Sequence, residues 1–251
     1  MSNFLIYPSL LDGYQYLLNA DADAANFDLD PTEVYAQREQ ALLDSINRKA
    51  FFSESAERGT AINDVVDYLL DRQLRVDTAI DDSNPLVIVA KRGDLTFKID
   101  RGLVEHIADM MVNSTTQMRV AAPMQTKYGE VKLYGFADYI QLDRVIDLKT
   151  TNSYQFGKFA DHWQKEVYPY CLVESGLVPC VREFEYLVAE VKESKRDGLI
   201  RGTIYRERYD YNHRETSDRM RYFLEQHFIP FLLSHRESIT NLKIFGQCNI
   251  S

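Results

Sequence analysis

The stretch GFADYIQLDRVIDLKTT, residues 135–151, limits the possible folds more than any other, because it sets two carboxylates and a lysine among apolar residues at strand spacing. Side chains on a strand alternate between faces, so Asp147 and Lys149 share one face while Ile146 and Leu148 share the other. A hairpin turning about Leu142-Asp143 opposes Gln141 to Arg144 and, by the same count, Asp138 to Asp147. Directly opposed like charges destabilise paired strands, and the flanking Phe136, Ile140 and Val145 lower the local dielectric. Lys149 offsets one charge; a divalent cation that prefers hard oxygen ligands, Mg²⁺ or Mn²⁺, offsets the rest. The alternative is an ion pair of one aspartate with Lys149 at a hairpin edge, the other aspartate being solvated; a second acid-x-Lys triplet stands at Glu193-Ser194-Lys195. Leu133, Gly135, Ala137, Ile146 and Leu148 are expected on the opposite face, apolar and partly small, which predicts a sheet covered on both sides.

Around this hairpin the pattern alternates between helical and strand periods. SLLDGYQYLL repeats apolar residues at helical spacing, and DPTEVYAQREQALLDSINRKAFF opens on Asp30 as N-cap, Pro31 at the first helical position and Glu33 as the partner of a capping box. In ERGTAINDVVDYLLDRQ, Ile62, Val65, Val66, Leu69 and Leu70 form one apolar stripe, with Gly59, Asn63 and Asp67 together beside it. Residues 86–99 predict a hairpin turning at Arg92-Gly93-Asp94, followed by a short helix, GLVEHIADMMV. Strands dominate from Met118 to Thr151. A helix is expected through FGKFADHWQKEVYPYCLVESG with a kink or early break at Pro169, then strands REFEYLVAEV and LIRGTIYRERYD, then a closing helix with the stripe Met220, Phe223, Leu224, Phe228 and Phe231. This order predicts an α/β or α+β layered domain with a mixed, mostly antiparallel central sheet flanked by helices, one domain over residues 1–251 whose first 55 residues are a helical N-terminal part.

Composition narrows the function. With 45% hydrophobic and 27% charged residues the chain can bury a sizeable core. Cys171, Cys180 and Cys248 are scattered, with no C-x-x-C pair, which excludes a zinc ribbon, argues against a disulfide scaffold and fits a reducing cytoplasm. No apolar run approaches a membrane span, and MSNFLIYPSLLDGY lacks a basic segment before an apolar one, so neither a membrane protein nor a secreted one is expected. A net charge of -9 argues against nonspecific coating of nucleic acid and leaves room for a local basic groove. No phosphate-binding Gly-x-x-x-x-Gly-Lys-[Ser/Thr] loop is present, hence no helicase motor.

Gly-x-x-Asp at Gly135–Asp138, Asp-x-Lys at Asp147-Leu148-Lys149 and Gln-x-x-x-Tyr at Gln164–Tyr168 together resemble the PD-(D/E)xK nuclease superfamily, in its RecB-like and phage recombination exonuclease branch. ERGTAINDVVDYLL is similar to the upstream Gly-Thr-x-Ile-His helix of that family, and SLLDGYQYLL to its opening Ser-x-Leu segment, so the likeness runs over roughly residues 9 to 190. The resemblance implies a restriction-endonuclease-like core, an Mg²⁺- or Mn²⁺-dependent deoxyribonuclease of recombination or repair, more an exonuclease than a sequence-specific endonuclease, and DNA as partner. A recombination or repair protein and a second copy of the chain remain open as further partners. It assigns Asp138 and Asp147 as metal ligands, Lys149 as the cation that positions or activates the attacking water, and Gln164 and Tyr168, one helical turn apart, as groups that orient Lys149 or touch the DNA backbone.

The chain departs from the family pattern where the family carries a metal-binding histidine. Asn63 stands there, and its amide oxygen can ligate a hard cation weakly and without charge, which opens the third ligand to Asp67, Asp64 or Glu57. His106 and His162 are expected to be structural or exposed. The cysteine clusters of iron–sulfur relatives are missing, so no such cluster is expected. Arg201, Arg206 and Arg208, interleaved with Tyr205 and Tyr209, are candidates for a DNA-binding groove; the competing explanation is a salt-bridged surface among Glu185, Glu207 and Glu215. A catalytically degenerate protein that binds DNA or a partner is the alternative function.

Overall fold

The structure, a computed structural model, describes residues 4–73 and 76–246; Cys248 lies outside the described residues. Among the described residues nine strands form one sheet: β1 (Phe4–Ile6), β2 (Ala79–Asp81), β3 (Val87–Arg92), β4 (Leu95–Asp100), β5 (Thr115–Thr126), β6 (Gly129–Gln141), β7 (Arg144–Thr151), β8 (Glu183–Glu193) and β9 (Leu199–Asp210). Their order is β1-β6-β7-β8-β9-β4-β3-β2, with β5 also on β6. Five pairings are antiparallel; β1 with β6, β4 with β9 and β7 with β8 are parallel. The chain is thus a mixed α/β protein with a mostly antiparallel central sheet flanked by helices.

Helices cover both faces. On one lie α1 (Pro8–Leu18), α3 (Pro31–Ile46), α6 (Gln164–Glu174), α7 (His213–Phe223) and α8 (Ile229–Ser234), packed through Leu10, Leu43, Val167, Phe223 and Phe231; α2 (Ala20–Phe27) leans on α3. On the other lie α4 (Glu54–Asp71) and α5 (Arg101–Met110), whose Ile62, Val65, Val66, Val104 and Ile107 are fully buried. Local chemistry explains several boundaries. Asp30 accepts the Thr32 N–H at 2.8 Å beside Pro31 and so starts α3. The β3–β4 turn falls at Gly93-Asp94, where Gly93 takes φ 53°. Between α7 and α8 the chain makes a π-helical turn, Leu224–Phe228, just before Pro230, which lacks the N–H that a regular helix would use there.

Three sequence expectations need correction. The helix expected from Phe156 begins at Gln164, residues 155–163 being turns, and it continues through Pro169 to Glu174. The helix opened by Asp30 ends at Ile46, not Phe52. The third concerns faces. Leu133 and Ala137 belong to the core under α6, whereas Ile146 and Leu148 belong to the core under α4. On β6 the alternation inverts, Ala137 facing α6 and Tyr139 facing α4. The inversion occurs where the β5 ladder skips Asp138 and the β7 ladder ends, opposite Gln117 with its left-handed φ of 47°.

Candidate active site

β5 runs along one edge of β6 for its whole length, while the other edge is shared: β1 takes residues 131–133 and β7 takes residues 139–141. Between them Tyr134–Asp138 have no strand partner on that edge, and the sheet opens into a notch. The β6–β7 hairpin has the expected register, Gln141 opposite Arg144 and Tyr139 opposite Ile146. The ladder then stops one pair short of Asp138 and Asp147. Instead, Asp138 Oδ2 accepts the Leu148 N–H at 3.1 Å, so a carboxylate does the work of a backbone carbonyl at the mouth of the notch.

Asp147 projects on the α6 side with only 2% of its surface exposed. Its Oδ2 lies 2.8 Å from Lys149 Nζ, an ion pair without hydrogen-bond alignment, so that this buried oxygen accepts no hydrogen bond. Lys149 Nζ also sits 5.8 Å from the centre of the buried Tyr186 ring. The set therefore carries two acids and one base, and Asp138, half-buried, is engaged by the Leu148 N–H rather than left free in solvent as the simple ion-pair alternative requires. Burial first, and the Asp147 carboxylate second, hold the Asp138 carboxyl well above the usual range.

From the other face α4 lays Gly59, Asn63 and Asp67 along β7 and β6. A Cβ on Gly59 would stand 2.6 Å from Thr150 Oγ1, and Asp67 Oδ1 accepts the Tyr139 hydroxyl at 2.8 Å, which brackets Asn63 one helical turn from each contact. The Asn63 Oδ1 is buried without a hydrogen-bond partner. The other substitutes are engaged elsewhere: Asp64 and Glu57 pair with Arg92 at 2.9 and 2.8 Å.

α6 closes the site. Tyr168 lies against Gly135, where a Cβ would come within 2.6 Å of its Cε1, so only glycine admits the ring. Burial raises the Tyr168 hydroxyl far above its ordinary pKa, with Asp147 and Asp138 adding to the shift, so it remains a donor. Gln164 leaves its Oε1 buried and unpartnered. The start of α6 is fixed by a residue that the sequence did not single out, Asp12 of α1, which accepts the Trp163 N–H at 2.6 Å and stands 3.6 Å from His162 Nδ1. Burial pushes Asp12 up to about 6, and burial followed by Lys149 lowers His162. The available signal was a lone acid inside the apolar run of α1. His106 lines a separate cavity beside α5.

The arginines divide. Arg201 stays outside the site: it pairs with Asp197 at 3.0 Å and lines the cavity beside α5 with His106. Arg206 and Arg208 do not join the site: they alternate with Ile204 on the α4–α5 face and converge with Arg144 on the buried Glu185. Tyr205 instead meets Tyr154 at 4.6 Å, and Glu207 ties down the loop before α6 through Tyr154, the Gly157 N–H at 2.8 Å and Tyr209 at 2.6 Å.

Asp138 and Asp147 offer carboxylate oxygens and Asn63 an amide oxygen, two of these groups having buried acceptors that lack hydrogen bonds, and donors of this chemistry suit Mg²⁺ or Mn²⁺. Among the described residues no group of three or more His, Cys, Asp or Glu stands in a metal-binding arrangement. No helix among the described residues is long and apolar enough to cross a membrane. No family model and no curated protein matches the chain. A solved structure, "Crystal structure of SSO0001", aligns over 89% of this chain and 76% of its own, with 13% identity and a TM-score of 0.40.

Proposed function

We propose that the protein is a metal-dependent deoxyribonuclease of the PD-(D/E)xK kind, acting from DNA ends in recombination or repair. The observation that carries this reading is the notch itself. Asp138, Asp147 and Lys149 meet where the sheet splits, and they are flanked by the unpartnered oxygens of Asn63 and Gln164. Asp138, Asp147 and Asn63 would hold Mg²⁺ or Mn²⁺, which when bound lowers the pKa of water and offsets charge growing on a phosphate. Lys149, held by Asp147, carries the positive charge that steadies the attacking water and the phosphate oxygen it approaches. In the reaction the water oxygen bonds to phosphorus, the bridging P–O bond breaks, and the water's proton is balanced by protonation of the departing oxygen. Tyr168 and Gln164 offer a hydroxyl and an amide N–H to the same backbone. A reducing cytoplasm suits the free Cys171 and Cys180.

Asn63 in place of a charged or imidazole ligand favours a second reading, a degenerate nuclease that binds DNA without cutting it. Linear duplex, nicked circle, closed circle and single strand, each incubated with Mg²⁺, Mn²⁺ or EDTA, separate the two. Metal-dependent loss of linear DNA with closed circles surviving is the expected result. Rapid linearisation of closed circles makes the protein an endonuclease, and no cleavage under any condition leaves only the degenerate reading.

A further inference from the structure

We infer that the notch also carries a pocket for one unpaired nucleotide, so that the protein selects single-stranded ends or overhangs over blunt duplex. The inference rests on the nuclease reading for the identity of its ligand. Where β1 ends and α1 begins, a cavity of about 460 Å³ opens between Tyr7, Arg48, Tyr134, Phe136, Gln164 and Tyr168, within the range of small-ligand pockets. Gly135, on the unpaired edge of β6, lines it, and so does Tyr168, whose hydroxyl is close enough to feel the Asp147 and Asp138 carboxylates, so the cavity adjoins the acid–lysine cluster.

Each wall suits a different part of a nucleotide. Tyr7 and Tyr134 lie ring to ring at 5.6 Å and an angle of 59°, both half-buried, while Phe136 leaves 54% of its surface in water next to them. A large apolar side chain kept exposed beside two other rings is a stacking platform for a base, whose faces any aromatic can meet regardless of sequence. Gln164 offers a buried acceptor with no partner, which an amino group on a base edge would satisfy. Arg48 is exposed and, among the described residues, has no carboxylate within ion-pair distance, unlike Arg38, Arg92 and Arg144. It is held at φ 56° at the end of α3, a backbone conformation that glycine or asparagine adopts more easily, and there its guanidinium can take a phosphate bidentately. A base in a duplex has its edge occupied and its faces stacked, so only an unpaired nucleotide can use all three walls.

The test uses the whole protein in EDTA, so that nothing is cut, with short oligonucleotides carrying 2-aminopurine near one end as single strand, overhang or blunt duplex. Single strand and overhang are expected to bind at least ten-fold tighter than blunt duplex, with quenching of the 2-aminopurine. Phe136→Ser and Arg48→Gln, both at exposed positions, should each weaken that binding about ten-fold, in keeping with one lost stacking or phosphate contact. Both variants should keep the parent's Mn²⁺-induced rise in melting temperature, which reports the acid cluster separately. Blunt duplex bound as tightly as single strand, or variants that bind like the parent, overturns the pocket; if cleavage persists in the same preparations, the nuclease reading stands without it. A parent that neither cleaves nor responds to Mn²⁺ but still binds and quenches the single strand keeps the pocket and loses the nuclease.

Discussion

Replacing Asp147 by Asn removes one of two enclosed like charges while keeping the side-chain shape. In the parent the cluster of Asp138, Asp147 and Lys149 gains an excess negative charge once pH rises through the elevated value of Asp138; in Asp147→Asn the remaining acid and base then balance. Because Asp138 titrates higher in the folded protein than in the unfolded chain, its contribution is fully present below about pH 4 and is lost as pH rises through its elevated value. Metal-free parent should therefore lose stability across that window. The variant should lose less, though not nothing, since burial rather than Asp147 is the larger cause of the elevation. Near neutral pH without metal the variant should match or exceed the parent. With metal the order reverses. A cation at ten times its dissociation constant stabilises the parent by about 1.4 kcal/mol. For a chain of this size that corresponds to roughly 3–6 °C in melting temperature. The variant should show neither the shift nor cleavage. Thermal unfolding of both proteins from pH 4 to 9, with EDTA and with Mn²⁺, measures all of this. A variant destabilised by about 3–5 kcal/mol at neutral pH beside a parent indifferent to metal would mean that Asp147 serves only to pair Lys149, and would refute the metal site.

Gly135→Ala drives a methyl group into Tyr168 and should cost about 1–3 kcal/mol of stability, with a loss of kcat beyond what the folded fraction explains; unchanged kcat in the folded protein would remove Tyr168 from the chemistry. Asp12→Asn keeps an acceptor for Trp163 but cannot titrate, so the metal-free stability that the parent loses between about pH 4 and 6, up to roughly 3 kcal/mol, should be retained, as denaturant melts at pH 4 and 7 will show. Asn63→Leu should leave metal-free stability equal or higher, because it deletes an unpartnered acceptor, yet reduce the Mn²⁺ shift, whereas Asn63→His should preserve or raise activity. Glu207→Ala strips three donors of their acceptor and should expose residues 153–162 to limited proteolysis at temperatures where the parent resists it.

The parts of the fold set by local chemistry were legible in the sequence. The register of the β6–β7 hairpin followed from its turn, β9 spans the residues its alternation marked, and Gly59 and Asp67 both meet the sheet from one side of α4, as their spacing suggested. What could not be read depended on partners distant in the chain. The inversion of β6 at Asp138 needs Gln117 opposite it, and period-two counting through that point put Ile146 and Leu148 on the wrong layer. The delayed start of α6 is set by Asp12. Arg206 and Arg208 alternate correctly on their own strand, but which layer they face depends on β8 lying parallel to β7, and no local pattern encodes that pairing.

The short strand β1 has a consequence for how the protein comes into being. Residue 4 pairs with residue 131, so the lip of the notch is formed by the most sequence-distant strand pairing among the described residues. Such a contact must overcome a large loop-closure entropy and tends to form after the local hairpins. Closure further waits on α6, and on the α7–α8 segment that packs under α1 through Tyr14 and Phe228. During synthesis β1 and the acid–lysine hairpin both emerge before α6 and the α7–α8 segment that close over them. A nascent chain therefore carries Asp138, Asp147 and Lys149 before α6 has closed over them, and the notch is completed only when the elements that follow β7 have docked.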